Sequence, residues 1–178
     1  DRTLIEYQDS SLSFSRFFEK ISLLSEKLET EPGDRVFLRS KDQVSLMVAL
    51  WALWMRKSIA VPINPSFPEN RIWSLMSSCG SRFILVSEED FQEVPPEIKV
   101  SLPDSIPEKQ TVIQNNTFRT INPPQAAAVI FTSGSSGKPK GAMLSLANFC
   151  YSALGANQQM SLVPGDRWLL SLPPVSYT

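Results

Sequence analysis

Histidine is absent from all 178 residues. That removes Ser/His/Asp and Cys/His nucleophile arrangements, and every histidine-based zinc site, from what these residues can build. Cysteine is nearly absent. Cys79 and Cys150 are too few for a disulfide framework in a chain of this size and lack metal-ligand spacing, so both are expected as ordinary buried thiols. A dominant charge is missing too: 17 Lys and Arg face 18 Asp and Glu, a formal net charge of -1. The charges are interspersed, which leaves no basic face for a nucleic-acid backbone. Long hydrophobic runs are also lacking. Leu46 to Met55, ten residues, falls well short of the roughly 20 that span a membrane and reads as a buried core helix. The chain opens Asp1, Arg2, Thr3 without an apolar stretch, so no signal peptide is expected. The missing initiator Met suggests a trimmed start, and the cytoplasm is the expected location.

What is present, 42% hydrophobic and 20% charged residues, suits a soluble globular chain with one sizeable core, or a large part of a bigger one. Thr3 to Tyr7 alternates like a strand, and Gln8 to Ser11 is turn-like. Ser13 can cap a helix whose apolar positions Phe14, Phe17, Phe18, Ile21, Leu24 and Leu28 follow helical spacing. After a turn at Pro32, Gly33 and Asp34 come a strand, Arg35 to Arg39, and a helix, Asp42 to Arg56. Ile59 to Val61 is the next strand, Pro62 to Pro68 a rigid connection, Glu69 to about Cys79 a helix with Pro68 near its first turn, and Phe83 to Val86 a strand. This alternation predicts an α/β fold: an open, mostly parallel sheet with helices on both faces. Between 93 and 124 six prolines interrupt the pattern, and only Thr111 to Ile113 and Thr117 to Arg119 look extended. The stretch is either a domain boundary or a long surface loop within one domain.

Ala126 to Phe131 is a continuous apolar strand candidate that runs into Thr132, Ser133, Gly134, Ser135, Ser136, Gly137, Lys138, Pro139, Lys140 and Gly141. Glycines let backbone N–H groups close around an anion, the four hydroxyls add donors, and the lysines neutralise charge. Such a loop suits a polyphosphate, although a Gly/Ser-rich stretch taken by composition alone equally describes a flexible turn. It is not a Walker loop: Gly134 and Gly137 are too close, and Pro139 stands where a Ser or Thr magnesium ligand belongs.

In residue order, Thr132 to Gly141 after an apolar strand resembles the signature loop of the adenylate-forming superfamily, which includes acyl-CoA synthetases, adenylation domains of peptide synthetases and luciferases. The likeness covers essentially the whole chain, 1–178. Gly33-Asp34-Arg35-Val36 is similar to the family's Gly-Asp-Arg-Val strand entry, and Ala60-Val61-Pro62-Ile63-Asn64-Pro65 to its Pro-Leu-Asn-Pro turn. Gly141 to Leu144 resembles the following strand, with Ser145 and Asn148 at matching positions and Leu146 where a His is common. Asp166 to Pro173 most resembles o-succinylbenzoate-CoA ligases of menaquinone biosynthesis, though fatty-acid and aryl-acid CoA ligases share much of it. Beyond it the chain departs from the pattern, with Val175 at the usual aromatic and Ser176 at the usual His.

The resemblance implies that this is the N-terminal part of the large domain of an enzyme that activates a small-molecule carboxylic acid with ATP as an acyl-adenylate and passes it to a thiol, usually that of coenzyme A. It implies that Thr132, Ser133, Ser135 and Ser136 contact the β- and γ-phosphates and that Gly134 and Gly137 give the loop its freedom. Lys138 or Lys140 supplies positive charge, with Lys140 the stronger candidate for catalysis and a solvated surface role open for Lys138. The Mg2+ ligand, the ribose contact and a further lysine are expected in the remainder of the polypeptide, so these residues alone are expected to be inactive. The alternative is a phosphate-binding or structural module without chemistry.

Overall fold

The computed structural model describes residues 2–7, 10–87, 99–102, 123–132 and 139–169. Its centre is a sheet of six strands. In chain order these are β3 (Arg35–Arg39), β4 (Ile59–Pro62), β5 (Phe83–Ser87), β6 (Lys99–Leu102), β7 (Ala126–Thr132) and β8 (Lys140–Ser145), arranged β6-β5-β3-β4-β7-β8. All pairings are parallel except the last, β7 with β8. The inner strands β5, β3, β4 and β7 read as apolar runs because both faces of the sheet are covered there. On β3, Val36 and Leu38 join one cluster while Phe37 between them joins the other, and all three are fully buried.

The first cluster receives α1 (Phe14–Lys27) and α2 (Gln43–Met55); the second receives α3 (Glu69–Cys79) through Ile72, Leu75 and Met76. Helices therefore lie on both faces, as the alternation predicts. Each helix begins where its sequence supplies a cap. Ser13 Oγ accepts from the Arg16 N–H at 3.3 Å, and the Asp42 carboxylate accepts from the N–H groups of Val44 and Ser45 at 3.2 and 2.8 Å. Pro68 precedes α3, where a missing N–H costs nothing, and Gly80 closes it in the left-handed conformation at φ 62°.

Several expectations are corrected. Ser10 and Ser11 belong to β2 (Ser10–Ser13), which pairs antiparallel with β1 (Thr3–Tyr7), not to a turn; ladder bonds to β1 outweigh the turn preference of serine. Lys99–Leu102, inside the proline-interrupted stretch, forms the strand β6 beside β5. Its one interior apolar residue, Val100, gives little periodicity to read. The candidates Thr111 to Ile113 and Thr117 to Arg119 lie outside the described residues. Cys79 is half-buried and Cys150 exposed, so the expectation of two buried thiols fails. Phe14, assigned to the inward face of α1, is 42% exposed at the start of the helix. Trp168 and Leu169, within the stretch that resembles the CoA ligases, carry no regular structure and are exposed. Among the described residues no helix is long and apolar enough to cross a membrane.

The Asp42 cap supports the helix that carries most of the first cluster. Asp42→Ala should lower unfolding free energy by about 0.5–2 kcal/mol, read by chemical denaturation, with an unchanged m-value.

Candidate functional site

Strand β7 follows from three alanines and Val129, Ile130 and Phe131, apolar enough to enter the sheet beside β4. Thr132 ends the strand and is exposed. The chain returns as β8, in a ladder with Thr132 opposite Lys140, Phe131 opposite Gly141, Ile130 opposite Ala142 and Val129 opposite Met143. The hydroxyl of Thr132 donates to the Lys140 carbonyl at 3.3 Å, and both residues face solvent. The structure thus brings the first sequence-predicted site residue and the last to one place, the carboxyl end of β7. Ser133, Gly134, Ser135, Ser136, Gly137 and Lys138 lie outside the described residues.

Gly141 has a role that composition did not reveal. A Cβ there would stand 2.8 Å from Val129 Cγ1 and 3.5 Å from Phe131 Cε1. A bare backbone at 141 lets β8 lie flat over Val129 and Phe131, whose ring in turn meets Phe37 at 6.4 Å between centroids. The close approach packs the hairpin tightly next to Lys140.

Ser145 and Asn148, noted in the sequence only as matching positions, have a structural task. The Asn148 N–H donates to Ser145 Oγ at 3.3 Å and the Ser145 N–H donates to Asn148 Oδ1 at 2.8 Å, a reciprocal cap on α4 (Leu146–Met160). The Leu146 and Ala147 N–H groups donate to the carbonyls of Gln125 and Pro123 at 2.9 and 2.8 Å. The first three helical N–H groups are therefore satisfied within the protein, although free helix N-termini commonly hold anions. These three N–H groups are thus not free to meet an anion.

The family model for AMP-binding enzymes matches residues 1–176. The chain belongs to the AMP-binding enzyme family. The 2-succinylbenzoate–CoA ligase of Bacillus cereus (strain AH820) is 26% identical over 179 residues, 97% of this chain and 36% of that protein. Indigoidine synthase of Dickeya dadantii (strain 3937) is 27% identical over 177 residues, 89% of this chain and 12% of that protein. Among solved structures, o-succinylbenzoate coenzyme A synthetase from Bacillus subtilis in complex with AMP superposes with a TM-score of 0.78 at 22% identity, over 97% of this chain and 46% of that one. The same synthetase with ATP and magnesium ion gives 0.77 at 19% identity, over 97% and 47%. These likenesses show the α/β fold expected from the alternation. The chain spans little more than a third of the length of the first of these relatives.

Gly141→Ala should destabilise the hairpin by about 1–3 kcal/mol through overpacking. Because the clash is with Val129, the Gly141→Ala/Val129→Ala double variant should lose less than the two single losses added together. Denaturation of all three variants checks this; additive losses would place the strain elsewhere.

Proposed function

We propose that the polypeptide containing this chain is an acid–thiol ligase of the AMP-forming kind and that residues 132–140 hold the β- and γ-phosphates of its ATP. The observation that carries the reading is the hairpin, which sets the Thr132 hydroxyl and Lys140 opposite each other at the two ends of a hydroxyl- and glycine-rich connection. The family match and the synthetase solved with ATP and magnesium support it.

The donor set fits a triphosphate. Thr132, Ser133, Ser135 and Ser136 offer hydroxyls, Gly134 and Gly137 let backbone N–H groups approach, and Lys138 and Lys140 offer cations. Each charge-assisted bond contributes about 1.5–3 kcal/mol. A carboxylate oxygen of the substrate attacks the α-phosphorus, the bond to the bridging oxygen breaks, and pyrophosphate leaves with its negative charge held by this loop. A thiol sulfur, that of coenzyme A, then attacks the acyl carbonyl, loses its proton and releases AMP. The nucleophiles belong to the substrates, so a chain without histidine can serve the first step. The protein's contribution is position and charge. Lys140 has the role of stabilising charge that develops on the departing phosphates, and Lys138 is assigned to binding.

No group of three or more His, Cys, Asp or Glu side chains converges among the described residues, and the Mg2+ ligand is assigned to the rest of the polypeptide. That remainder is likewise assigned the ribose contacts, so the activity is a property of the longer protein. The ligases among the relatives make o-succinylbenzoate the first acid to test. The cytoplasm, where ATP and coenzyme A are supplied, is the proposed compartment.

ATP–pyrophosphate exchange by the full-length protein should depend on an added carboxylic acid. Lys140→Ala should slow it about 10- to 1000-fold, the scale of losing one donor aimed at developing charge. Unchanged exchange would remove Lys140 from the mechanism; a large effect of Lys138→Ala alone would exchange the roles of the two lysines.

A further inference from the structure

The hairpin that carries the loop ends has a short registered ladder to the rest of the sheet. Its ladder with β4 registers at one pair, Ala60 opposite Ala128. The ladder with β8 has an irregularity between Ala126 and Ala128. Beyond β8 no further strand pairs among the described residues. Side-chain contacts therefore share in deciding how far β7 slides along its own axis.

Trp54, in the last turn of α2 and 7% exposed, reaches across to it. Its indole N–H donates to the Ala127 carbonyl at 2.9 Å, and its own backbone carbonyl accepts from the Gln125 side-chain amide at 3.0 Å. The ring is wedged between Trp51, 5.3 Å away between centroids, and Phe149 of α4, 5.4 Å away. One rigid residue thus grips β7 twice at its root. An extended strand advances about 3.3 Å per residue and is stiff along its axis, so a slip at Ala127 reappears at Thr132. Displacing a reacting constellation by about 1 Å can cost on the order of 100-fold in rate.

We propose that Trp54, with Gln125, is a positioning residue for adenylation: it fixes the axial position of β7 and so the place of Thr132 and Lys140. This rests on the phosphate-loop reading above. Trp54 does not touch the reacting atoms; it acts through the strand. If Trp54 merely filled the core, Trp54→Phe would loosen the surrounding sheet as a whole through the space it opens, whereas loss of a positioning donor loosens the hairpin alone.

The test uses the full-length protein and two variants that each remove a donor: Gln125→Met, which keeps volume, and Trp54→Phe, which also leaves a smaller ring in the buried site. Hydrogen exchange measured without ATP should quicken by roughly 10-fold at the amides of 126–145, and stay unchanged at those of β3 and β5. In ATP–pyrophosphate exchange the KM for ATP should rise about 3- to 10-fold, the worth of one neutral hydrogen bond. The KM for the acid, and thioester formation from supplied acyl-adenylate, should hold. Unchanged hairpin amides, uniform quickening across the sheet, or ATP and acid constants shifting together with the melting temperature would each overturn the proposal. A wild type without exchange activity whose variants still free the hairpin would refute the adenylation reading and leave the anchor. An active wild type whose variants keep the ATP KM would refute the positioning role alone.

Discussion

Everything in this chain is arranged around the need to dry both sides of β3. Val36, Phe37 and Leu38 are consecutive and fully buried, so the strand can exist only if a layer of helix covers each face. With about 25 cal/mol for each Å² of apolar surface removed from water, three such neighbours outweigh any local preference. The constraint explains why α1 and α2 gather on one side and α3 on the other, and why the neighbouring strands run parallel.

The same arrangement delivers the site. Parallel strands end together, and ligands of open α/β sheets collect outside their carboxyl ends. β7 finishes at that edge, but it turns back through a hairpin instead of a crossover helix, so Thr132 and Lys140 face each other there. The helix after the hairpin spends its first N–H groups on Ser145, Gln125 and Pro123. Under the proposed function, the cradle is left to the loop's own backbone and hydroxyls. That is a physical reason for a segment so rich in glycine, serine and threonine.

How much of this was legible depended on whether a segment's own pattern matched its final surroundings. α3 runs over Glu69–Cys79 as its pattern indicated, because its start, its apolar stripe and its glycine stop are all local. β3, β4, β5 and β7 were visible as apolar runs for the same reason. β2 and β6 were not, since four residues such as Ser10–Ser13 or Lys99–Leu102 become strands only when a partner's ladder is offered. α4 was missed because its fifteen residues hold no charge and little amphipathic contrast. Of the site, the residue types of Thr132 to Lys140 carried the chemistry, and their order carried the family. The flatness demanded at Gly141 and the grip of Trp54 on Ala127 are contacts between segments, and no local pattern encodes them.

The unusual make-up of α4 has an energetic corollary. Its first turn is tied down by the Ser145–Asn148 cap and by buried Leu146, but residues 150–160 are exposed throughout. Without a charged side chain it has no i,i+4 ion pairs, and Gly155 in its middle costs about 1 kcal/mol relative to alanine. Its outer turns are held by little more than coil-to-helix propagation, which is near balance in water. Within these 178 residues the helix is thus clamped at the hairpin end and least supported at the other, so local opening of this chain taken alone spreads away from the hairpin and not into it.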